Sequence, residues 1–389
     1  MRIPRTLAII LAGGQGSRLG ALTQNRVKPA LPVGGTYRLI DISLSNLHHS
    51  HISDVWIVEQ YLPHSLNEYL AQGRPWDLDR NHGGLQFLTP FEGGHGEGFA
   101  HGNSDSLWRQ RHRIAEFDAD LVLVLSADHL YTCNFLDVID THLDLGADLT
   151  LVTTQVDERP SRYGVVQVTD NGIVTGFDYK PDDPRGQIVS AEIFCYSADV
   201  LLSALDELHE SLGELGDYGD DLIPHFVENR RVIAHRLSGY WMDMGTLQSY
   251  WTAHLQILDG TGATLDDPTW PIFSAQPQLP PARIEGTASV HRSMVSAGST
   301  VRGSVTHSVL GPRVVVEPGA SVTDSVVLDG ARIDEGVELV NCIVDIGAHV
   351  RRAGPRGSAG HVTLIGADGT ITDRQKLDAS ASLPDGWRG

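Results

Sequence analysis

A repeat between residues 293 and 350 constrains the fold more than any other feature of the sequence. Three-residue segments that begin with serine or cysteine recur at 293–295, 308–310, 325–327 and 342–344. Each is followed by a glycine and then by a branched apolar residue, in the pairs Gly298 and Val301, Gly311 and Val314, Gly330 and Ile333, and Gly347 and Val350. Short strands that recur between glycines stack their branched side chains from one turn of a coil to the next. The repeat predicts a left-handed parallel β-helix over residues 284–389, including a C-terminal tail, and a small irregular β-sandwich is the alternative.

Residues 1–258 have a different pattern of apolar and polar residues. Short apolar runs, such as LAIILA at 7–12 and LVLVLS at 121–126, alternate with polar segments long enough to form helices. This alternation is typical of an α/β domain in which a Rossmann-like, mostly parallel sheet is covered by helices on both faces. The proline-rich residues 259–283 predict a linker or docking arm between the two domains.

Composition excludes several classes of partner. The chain has 389 residues, which favours two domains, and its net charge of −20 argues against nucleic acid or an anionic membrane as the main partner. Its three cysteines have no C-x-x-C spacing, so neither a disulfide framework nor a zinc site is indicated. No apolar run approaches the length needed to cross a membrane. We therefore expect a cytoplasmic protein.

A glycine-rich turn, GGQGSR at residues 13–18, follows the first apolar run. A dinucleotide-binding turn requires a glycine where Leu19 stands, and the Gly-Lys-Ser/Thr of a Walker loop is absent. The backbone N–H groups of such a turn can surround phosphate oxygens, and Arg18 and Lys28 add two cations. The turn therefore predicts a triphosphate site.

Six segments together closely resemble the nucleotidyltransferases that make NDP-sugars, and specifically the ADP-glucose pyrophosphorylase branch. They are the N-terminal segment at 11–35, RLIDISLSN at 38–46, GNSDSL at 102–107, SADHLY at 126–131, GDDLIP at 219–224 and YWMDMGTLQSYW at 240–251. The resemblance covers nearly the whole chain, since that family also carries a C-terminal left-handed β-helix. It implies the reaction NTP + sugar 1-phosphate → NDP-sugar + pyrophosphate, with Mg²⁺ as cofactor.

The resemblance also implies roles for individual residues. Arg18 would contact the leaving β- and γ-phosphates, and Lys28 would lie near the α-phosphate. Asp128 and Asp243 would hold Mg²⁺, and Asp128 follows an apolar strand at the edge where open α/β sheets place ligands. The simpler alternatives are a turn or N-cap residue for Asp128 and a loop carboxylate for Asp243.

The substrate pockets are assigned in the same way. Lys180 would bind the phosphate of the acceptor, in a pocket formed with Gly164, Tyr179, Ser190 and Glu192. Asp105 would cap a helix and orient the nucleotide loop. The nucleotide-binding residues are expected to be Leu11, Ala12, Gly13, Gly14, Gly16, Gln60, Glu92, Gly102, Asn103 and Asp105.

The sequence departs from the family pattern around these pockets. Tyr179 stands where the family has a glutamate before the lysine, Glu192 lies in a segment that reads SMG in the family, and Met242 replaces an arginine beside Asp243. A lost carboxylate changes which hydroxyl groups a pocket accepts. We therefore expect an altered acceptor, for example a cyclitol phosphate such as valienol 1-phosphate. Glu92 suits guanine and Gln60 suits adenine, so both ATP and GTP stay open as donors.

A non-catalytic regulatory subunit is the alternative function. Such a subunit is expected to lose the phosphate-binding arginine or a metal-binding aspartate, whereas Arg18, Asp128 and Asp243 are all present. In either case the flat sides of the coil favour a homo-oligomer, either a tetramer or a dimer.

Overall fold

The computed structural model describes residues 4–13, 16–59, 62–88 and 100–377. The chain divides into two compact units that are interleaved along the sequence. Unit 1 comprises Met1–Gly14, Ser43–Ala127 and Thr132–Trp241, and unit 2 comprises Gln15–Ile42, Asp128–Tyr131 and Met242–Gly389. The domain boundaries at residues 258 and 283 stay a prediction, because they divide the chain by sequence order and these units are defined by compactness.

The described residues form helices and strands with the following bounds. The α-helices are α1 (Leu39–His49), α2 (Pro63–Leu70), α3 (Asn103–Phe117), α4 (Phe135–Asp144), α5 (Ala198–Leu212), α6 (Leu222–Asn229) and α7 (Leu247–Asp259). The strands before α7 are β1 (Thr6–Ala12), β2 (Pro32–Val33), β3 (Tyr37–Arg38), β4 (Asp54–Glu59), β5 (Gly84–Leu88), β6 (Leu121–Ser126), β7 (His129–Tyr131), β8 (Leu149–Gln155), β9 (Gly164–Val168), β10 (Val174–Tyr179), β11 (Ile188–Ser197), β12 (Val232–Arg236) and β13 (Trp241–Asp243). The later strands are β14 (Arg283–Ile284), β15 (Ser289–His291), β16 (Met294–Val295), β17 (Thr300–Val301), β18 (Ser304–Thr306), β19 (Val309–Leu310), β20 (Val315–Val316), β21 (Ser321–Thr323), β22 (Val326–Val327), β23 (Arg332–Ile333), β24 (Val337–Val340), β25 (Cys342–Val344), β26 (His349–Val350), β27 (Gly354–Gly357), β28 (His361–Ile365) and β29 (Ile371–Lys376). Short 3-10 helices lie at Ser17–Thr23, Lys28–Ala30 and Ala71–Trp76.

A nine-stranded sheet forms the centre of unit 1. Its order is β10-β9-β11-β6-β1-β4-β5, with β8 paired to β11 and β12 paired to β8. The strands β6, β1, β4 and β5 are mutually parallel, as predicted, and β11 adds the antiparallel side. β1 and β6 are continuous apolar runs because both of their faces are buried. Leu7 and Ile9 of β1 belong to a core that includes Leu107 of α3 and Leu201 of α5.

The C-terminal strands of unit 2 form a parallel β-helix, which confirms the fold predicted from the repeat. Three sheets run along it in the orders β14-β17-β20-β23-β26, β15-β18-β21-β24-β27 and β16-β19-β22-β25-β28-β29. Each turn of the coil adds one strand to each sheet, and β29 then pairs antiparallel with β28 at the end of the third sheet. Val301, Val316, Ile333 and Val350 lie in register in the first sheet. The predicted spacing is wrong at one turn, because Val316 rather than Val314 occupies the stacked position.

The serines that begin the repeated three-residue segments have a structural role. The Ser293 hydroxyl accepts a hydrogen bond from the Ser308 backbone N–H at 3.1 Å. In the same way, the Ser308 hydroxyl accepts from Ser325 N–H and the Ser325 hydroxyl accepts from Cys342 N–H, both at 3.0 Å. The side chain of each turn therefore satisfies a backbone group of the next, which explains why a small polar residue recurs at this position.

Helix α7 belongs to unit 2. Thr246 and Ser249 form a capping box at its start, which satisfies backbone N–H groups of the first turn. Trp251 donates a hydrogen bond from Nε1 to the Asp324 carbonyl oxygen at 2.6 Å, so the middle of the helix is fastened to the coil. None of the described helices is long and apolar enough to cross a membrane.

Candidate active site

Three segments of unit 2 bring Lys28, Asp128 and Asp243 together. Lys28 begins a 3-10 helix, Asp128 directly precedes β7, and Asp243 ends β13, which pairs with β7. The Lys28 ammonium donates hydrogen bonds to Asp128 Oδ2 at 2.6 Å and to Asp243 Oδ1 at 3.0 Å. These three residues, predicted to act together, therefore form one cluster in the structure.

The electrostatics of this cluster keep Lys28 charged. Burial alone would lower the pKa of its ammonium, but the charges of Asp128 and Asp243 and the hydrogen bonds to them outweigh that effect, so the pKa lies above its ordinary value. One ammonium and two carboxylates leave a local charge of about −1. A net negative site of this kind attracts a cation.

His129 is a member of the cluster that the sequence reasoning missed. Its Nε2 lies 3.5 Å from Asp128 Oδ1 and 3.8 Å from Asp243 Oδ1. Within the part of the chain that the structure describes, Asp128, His129 and Asp243 are the group whose donor atoms lie close enough for one metal ion, all within 4.8 Å of one another. The signal in the sequence was the dipeptide Asp128-His129, but neighbours in an extended chain usually point in opposite directions.

The donor set fits a divalent cation. Carboxylate oxygens are the ligands that Mg²⁺ prefers, and an imidazole nitrogen suits the later divalent metals. Gly245 contributes space, because a Cβ at this position would lie 2.8 Å from both carboxylate oxygens of Asp243. Asp128 and Asp243 are therefore the residues that would hold the ion.

The residues of the glycine-rich turn are divided between the two units. Leu11 and Ala12 end β1 in unit 1, where Gly13 follows them, and Gly14 lies outside the described residues. In unit 2, Gly16 has a φ of +62° and its carbonyl oxygen accepts a hydrogen bond from the Thr23 hydroxyl at 2.9 Å. Arg18 is exposed in the 3-10 helix that follows. Its exposed guanidinium is accessible to an anion.

A second lysine cluster lies in unit 1, around the residues predicted to bind the acceptor. Lys180 donates a hydrogen bond from Nζ to the Tyr179 hydroxyl at 2.5 Å and lies 4.1 Å from the centroid of the Tyr179 ring. The Tyr179 hydroxyl in turn donates to Asp217 Oδ2 at 3.4 Å. Gly219 makes room for the ring, because a Cβ there would lie 2.2 Å from Tyr179 Cδ2.

Acidic side chains surround this tyrosine. Burial and the negative charges of Asp217, Glu192 and Asp220 all raise the pKa of the Tyr179 hydroxyl, so it stays protonated and can donate. The pKa of Asp220 is also raised, by burial and by Asp217 and Asp221, and the Lys180 charge opposes that rise. Lys180 is therefore a cation in a predominantly acidic setting.

Glu192 and Ser190 form an irregular part of β11. The register of β11 against β8 shifts between Ser190 and Phe194, and Glu192 has a φ of +56°. Its backbone N–H donates to the Ser190 hydroxyl at 3.1 Å. A left-handed conformation costs a non-glycine residue about 1–2 kcal/mol and is enriched at functional sites. Gly164 has a packing role, since a Cβ there would lie 2.5 Å from Cζ of Phe177.

The predicted nucleotide residues Gly102, Asn103 and Asp105 lie at the start of α3 in unit 1. Asn103 N–H donates to Asp217 Oδ1 at 3.3 Å. Asp105 Oδ2 accepts from His101 N–H and from Arg109 Nε, both at 3.0 Å, which is the local contact expected of a carboxylate in the first turn of a helix. Gln60 and Glu92, predicted to contact the base, lie outside the described residues.

Two successive segments of the chain match models of known protein families. Residues 7–260 match the family model described as nucleotidyl transferase, and residues 280–358 match the model described as GlmU-like, C-terminal hexapeptide. A glucose-1-phosphate adenylyltransferase from Acetivibrio thermocellus is 36% identical over 352 residues, which is 89% of this chain and 83% of that protein. Proteins of the same name from Bacillus thuringiensis strain Al Hakam and Bacillus anthracis are each 36% identical over 343 residues, 87% of this chain and 91% of theirs.

Proposed function

Because the chain belongs to the nucleotidyl transferase family, we propose that it transfers a nucleotidyl group from an NTP to the phosphate of a sugar or sugar-like molecule. The observation that carries the proposal is the cluster in which Lys28 bonds both Asp128 and Asp243. The relatives named above are glucose-1-phosphate adenylyltransferases, so an acceptor with a 1-phosphate is the first candidate.

The reaction needs no protein nucleophile. An oxygen of the acceptor phosphate attacks the α-phosphorus of the NTP, and a new P–O bond forms. The bond from the α-phosphorus to the bridging oxygen breaks, and its electron pair leaves with pyrophosphate. Because every participant is anionic, the protein contributes mainly by positioning the groups and stabilising negative charge.

Different residues of the described chain are suited to different parts of this reaction. Lys28, buried and kept charged by its carboxylate partners, is suited to stabilise charge on the α-phosphate. Arg18, exposed beside the glycine-rich turn, is suited to the departing pyrophosphate. Asp128 and Asp243 would hold Mg²⁺, which when bound offsets phosphate charge and orients the phosphate oxygens. Lys180 would take the phosphate of the acceptor.

We further propose that the acceptor differs from glucose 1-phosphate. Tyr179 supplies a neutral hydroxyl, already bonded to Lys180, at the position before the lysine. Glu192 adds a carboxylate within electrostatic reach of that hydroxyl. These groups favour a phosphate whose ring carries a different pattern of hydroxyl groups, and a cyclitol phosphate such as valienol 1-phosphate is the candidate. ATP and GTP are both candidate donors.

Pyrophosphate release tests the proposal when ATP and GTP are each combined with glucose 1-phosphate and with valienol 1-phosphate. We expect turnover that Asp128→Asn reduces by at least about 10²-fold, with the cyclitol phosphate preferred. A strong preference for glucose 1-phosphate would contradict the acceptor proposal alone. Absence of turnover with every pair, in folded protein, would favour the non-catalytic regulatory subunit. Sedimentation of the same preparation tests the expected homo-oligomer.

A further inference from the structure

The imidazole of His129 faces the same space as the two carboxylates of the Lys28 cluster. Only 4% of its side chain is exposed, and 10% of the Asp243 side chain is exposed. Two ligands at 2.0–2.1 Å from one ion in octahedral geometry lie about 3 Å apart when adjacent and about 4 Å apart when opposite. The separations of 3.5 Å and 3.8 Å from His129 Nε2 to the carboxylate oxygens lie between these two values.

The carboxylate of Asp128 has two distinct sides in this cluster. Lys28 bonds it through Oδ2, and Oδ1 is the oxygen nearest to His129. Asp243 Oδ1 is within reach of both Lys28 and His129. An ion on the His129 side would therefore contact the oxygen of Asp128 that does not bond the ammonium of Lys28.

We propose that His129 is a third protein ligand, through Nε2, of the divalent cation held by Asp128 and Asp243. This inference rests on the proposed function, because that function assigns the cation to the two carboxylates. A neutral imidazole adds a donor without adding charge, so the local charge of about −1 is kept. One nitrogen donor shifts the preference of an oxygen site from Mg²⁺ toward Mn²⁺ and Co²⁺.

Electron spin echo spectroscopy of bound Mn²⁺ tests the proposal without measuring turnover. The probe is Mn²⁺ added to the full chain, with and without a non-hydrolysable ATP analogue. We expect modulation from a ¹⁴N nucleus that changes when the protein is made with ¹⁵N-histidine, and that disappears in His129→Asn. The chain has 18 histidines, so His51→Asn, at an exposed position, is the matched control and should keep the signal.

Binding affinities give a second measurement. His129→Asn should raise the Kd for Mn²⁺ by about tenfold or more, since even the outer-shell partners of metal ligands change affinity by 10- to 100-fold. The Kd for Mg²⁺ should rise by a smaller factor. The ratio of the Kd for Mg²⁺ to the Kd for Mn²⁺ should therefore be smaller in His129→Asn than in the wild-type protein. Circular dichroism and the melting temperature of each variant establish that it is folded.

The outcomes separate this inference from the proposed function. Mn²⁺ that binds, is lost in Asp128→Asn and shows no histidine coupling would overturn the role of His129 and leave the carboxylate site standing. Mn²⁺ that fails to bind the wild-type protein in both conditions would overturn the role of His129 and the metal assignment together. Histidine coupling that persists in His129→Asn would also overturn the inference, because another histidine would then be the ligand.

Discussion

Both lysine clusters place a lysine among acidic side chains, and they differ in burial. In unit 2, Lys28 is buried and bonds the carboxylates of Asp128 and Asp243 directly. In unit 1, Lys180 is exposed and bonds the hydroxyl of Tyr179, while acidic residues act on it from further away. A buried ammonium requires a charged partner, whereas an exposed one is stabilised by water. We therefore expect Lys28 to contribute to stability as well as to the proposed chemistry, and Lys180 to contribute to recognition of the acceptor alone.

Removal of the Lys28 charge should have the largest effect. In Lys28→Met, the buried carboxylate of Asp243 and the part-buried carboxylate of Asp128 lose their partner, and we expect the free energy of unfolding to fall by about 3–5 kcal/mol in metal-free buffer. Saturating Mn²⁺ should restore much of that loss, because the ion would replace the missing positive charge. Turnover should fall by about 10³-fold or more even with metal. Lys376→Met, at an exposed position, is the control and should change neither quantity.

Removal of the Lys180 charge should separate recognition from stability. Lys180→Met should raise the KM for the acceptor by about ten- to hundredfold, as expected for loss of a charged hydrogen bond to phosphate. Its free energy of unfolding should stay within about 0.5 kcal/mol of wild type. Initial-rate kinetics and denaturant unfolding measure the two effects. An equally large stability loss in Lys180→Met and Lys28→Met would remove the distinction between the clusters.

Another buried basic side chain, His307, tests the same rule because it can lose its charge. Its Nδ1 lies 2.5 Å from Asp324 Oδ1 and its Nε2 lies 3.0 Å from Asp259 Oδ1. Ionised carboxylates only accept hydrogen bonds, so this arrangement favours the imidazolium, in which both ring nitrogens donate. Burial lowers the pKa of His307, but the hydrogen bonds and charges of Asp324 and Asp259 raise it by more. The pKa therefore lies above its ordinary value of 6.5. Arg292, which bonds Asp259, is a further charged group in this cluster.

The sign of the pH effect follows from that raised pKa. A group whose pKa is raised in the folded state contributes its full stabilisation at pH values below its unfolded-state pKa, here about 6.5. That contribution is lost as the pH rises through the folded-state pKa. His307→Gln should therefore cost about 2 kcal/mol at pH 6 and progressively less in alkaline buffer. Urea unfolding of wild type and variant across this range measures the difference. A constant difference would contradict the imidazolium.

The smallest expected effect concerns the Tyr179 hydroxyl. Tyr179→Phe keeps the ring against Gly219 and removes the hydrogen bonds to Lys180 and Asp217. We expect a two- to tenfold rise in the KM for the acceptor, from about 0.5–1.5 kcal/mol per hydrogen bond, and an unchanged KM for the NTP. A rise in both KM values would mean that Asp217, which also bonds Asn103, transmits the change to α3.

The accuracy of the sequence-based predictions depends on the distance along the chain over which each contact acts. The β-helix was predictable because each turn repeats the chemistry of the one before, as the ladder from Ser308 to Ser325 to Cys342 illustrates. The prediction failed at Val314 because one turn of the coil has a different spacing, and only the register with Val301 identifies Val316 as the stacked residue. Lys28, Asp128 and Asp243 were assigned by resemblance, without any knowledge of their hydrogen bonds.

The sequence by itself determined the α/β and β-helix architecture and the family, because these depend on local periodicity and on contiguous motifs. The assignment of Asp128 and Asp243 as metal ligands stays a prediction. Only the tertiary structure decided that Lys28 bonds both aspartates, that His129 faces them, and that Tyr179 packs over Gly219 and bonds Lys180. The physical reason is that direction and burial of a side chain are set by segments far apart in sequence. Asp128 and Asp243 meet Lys28 because β7 pairs with β13, and no pattern within either segment encodes that pairing.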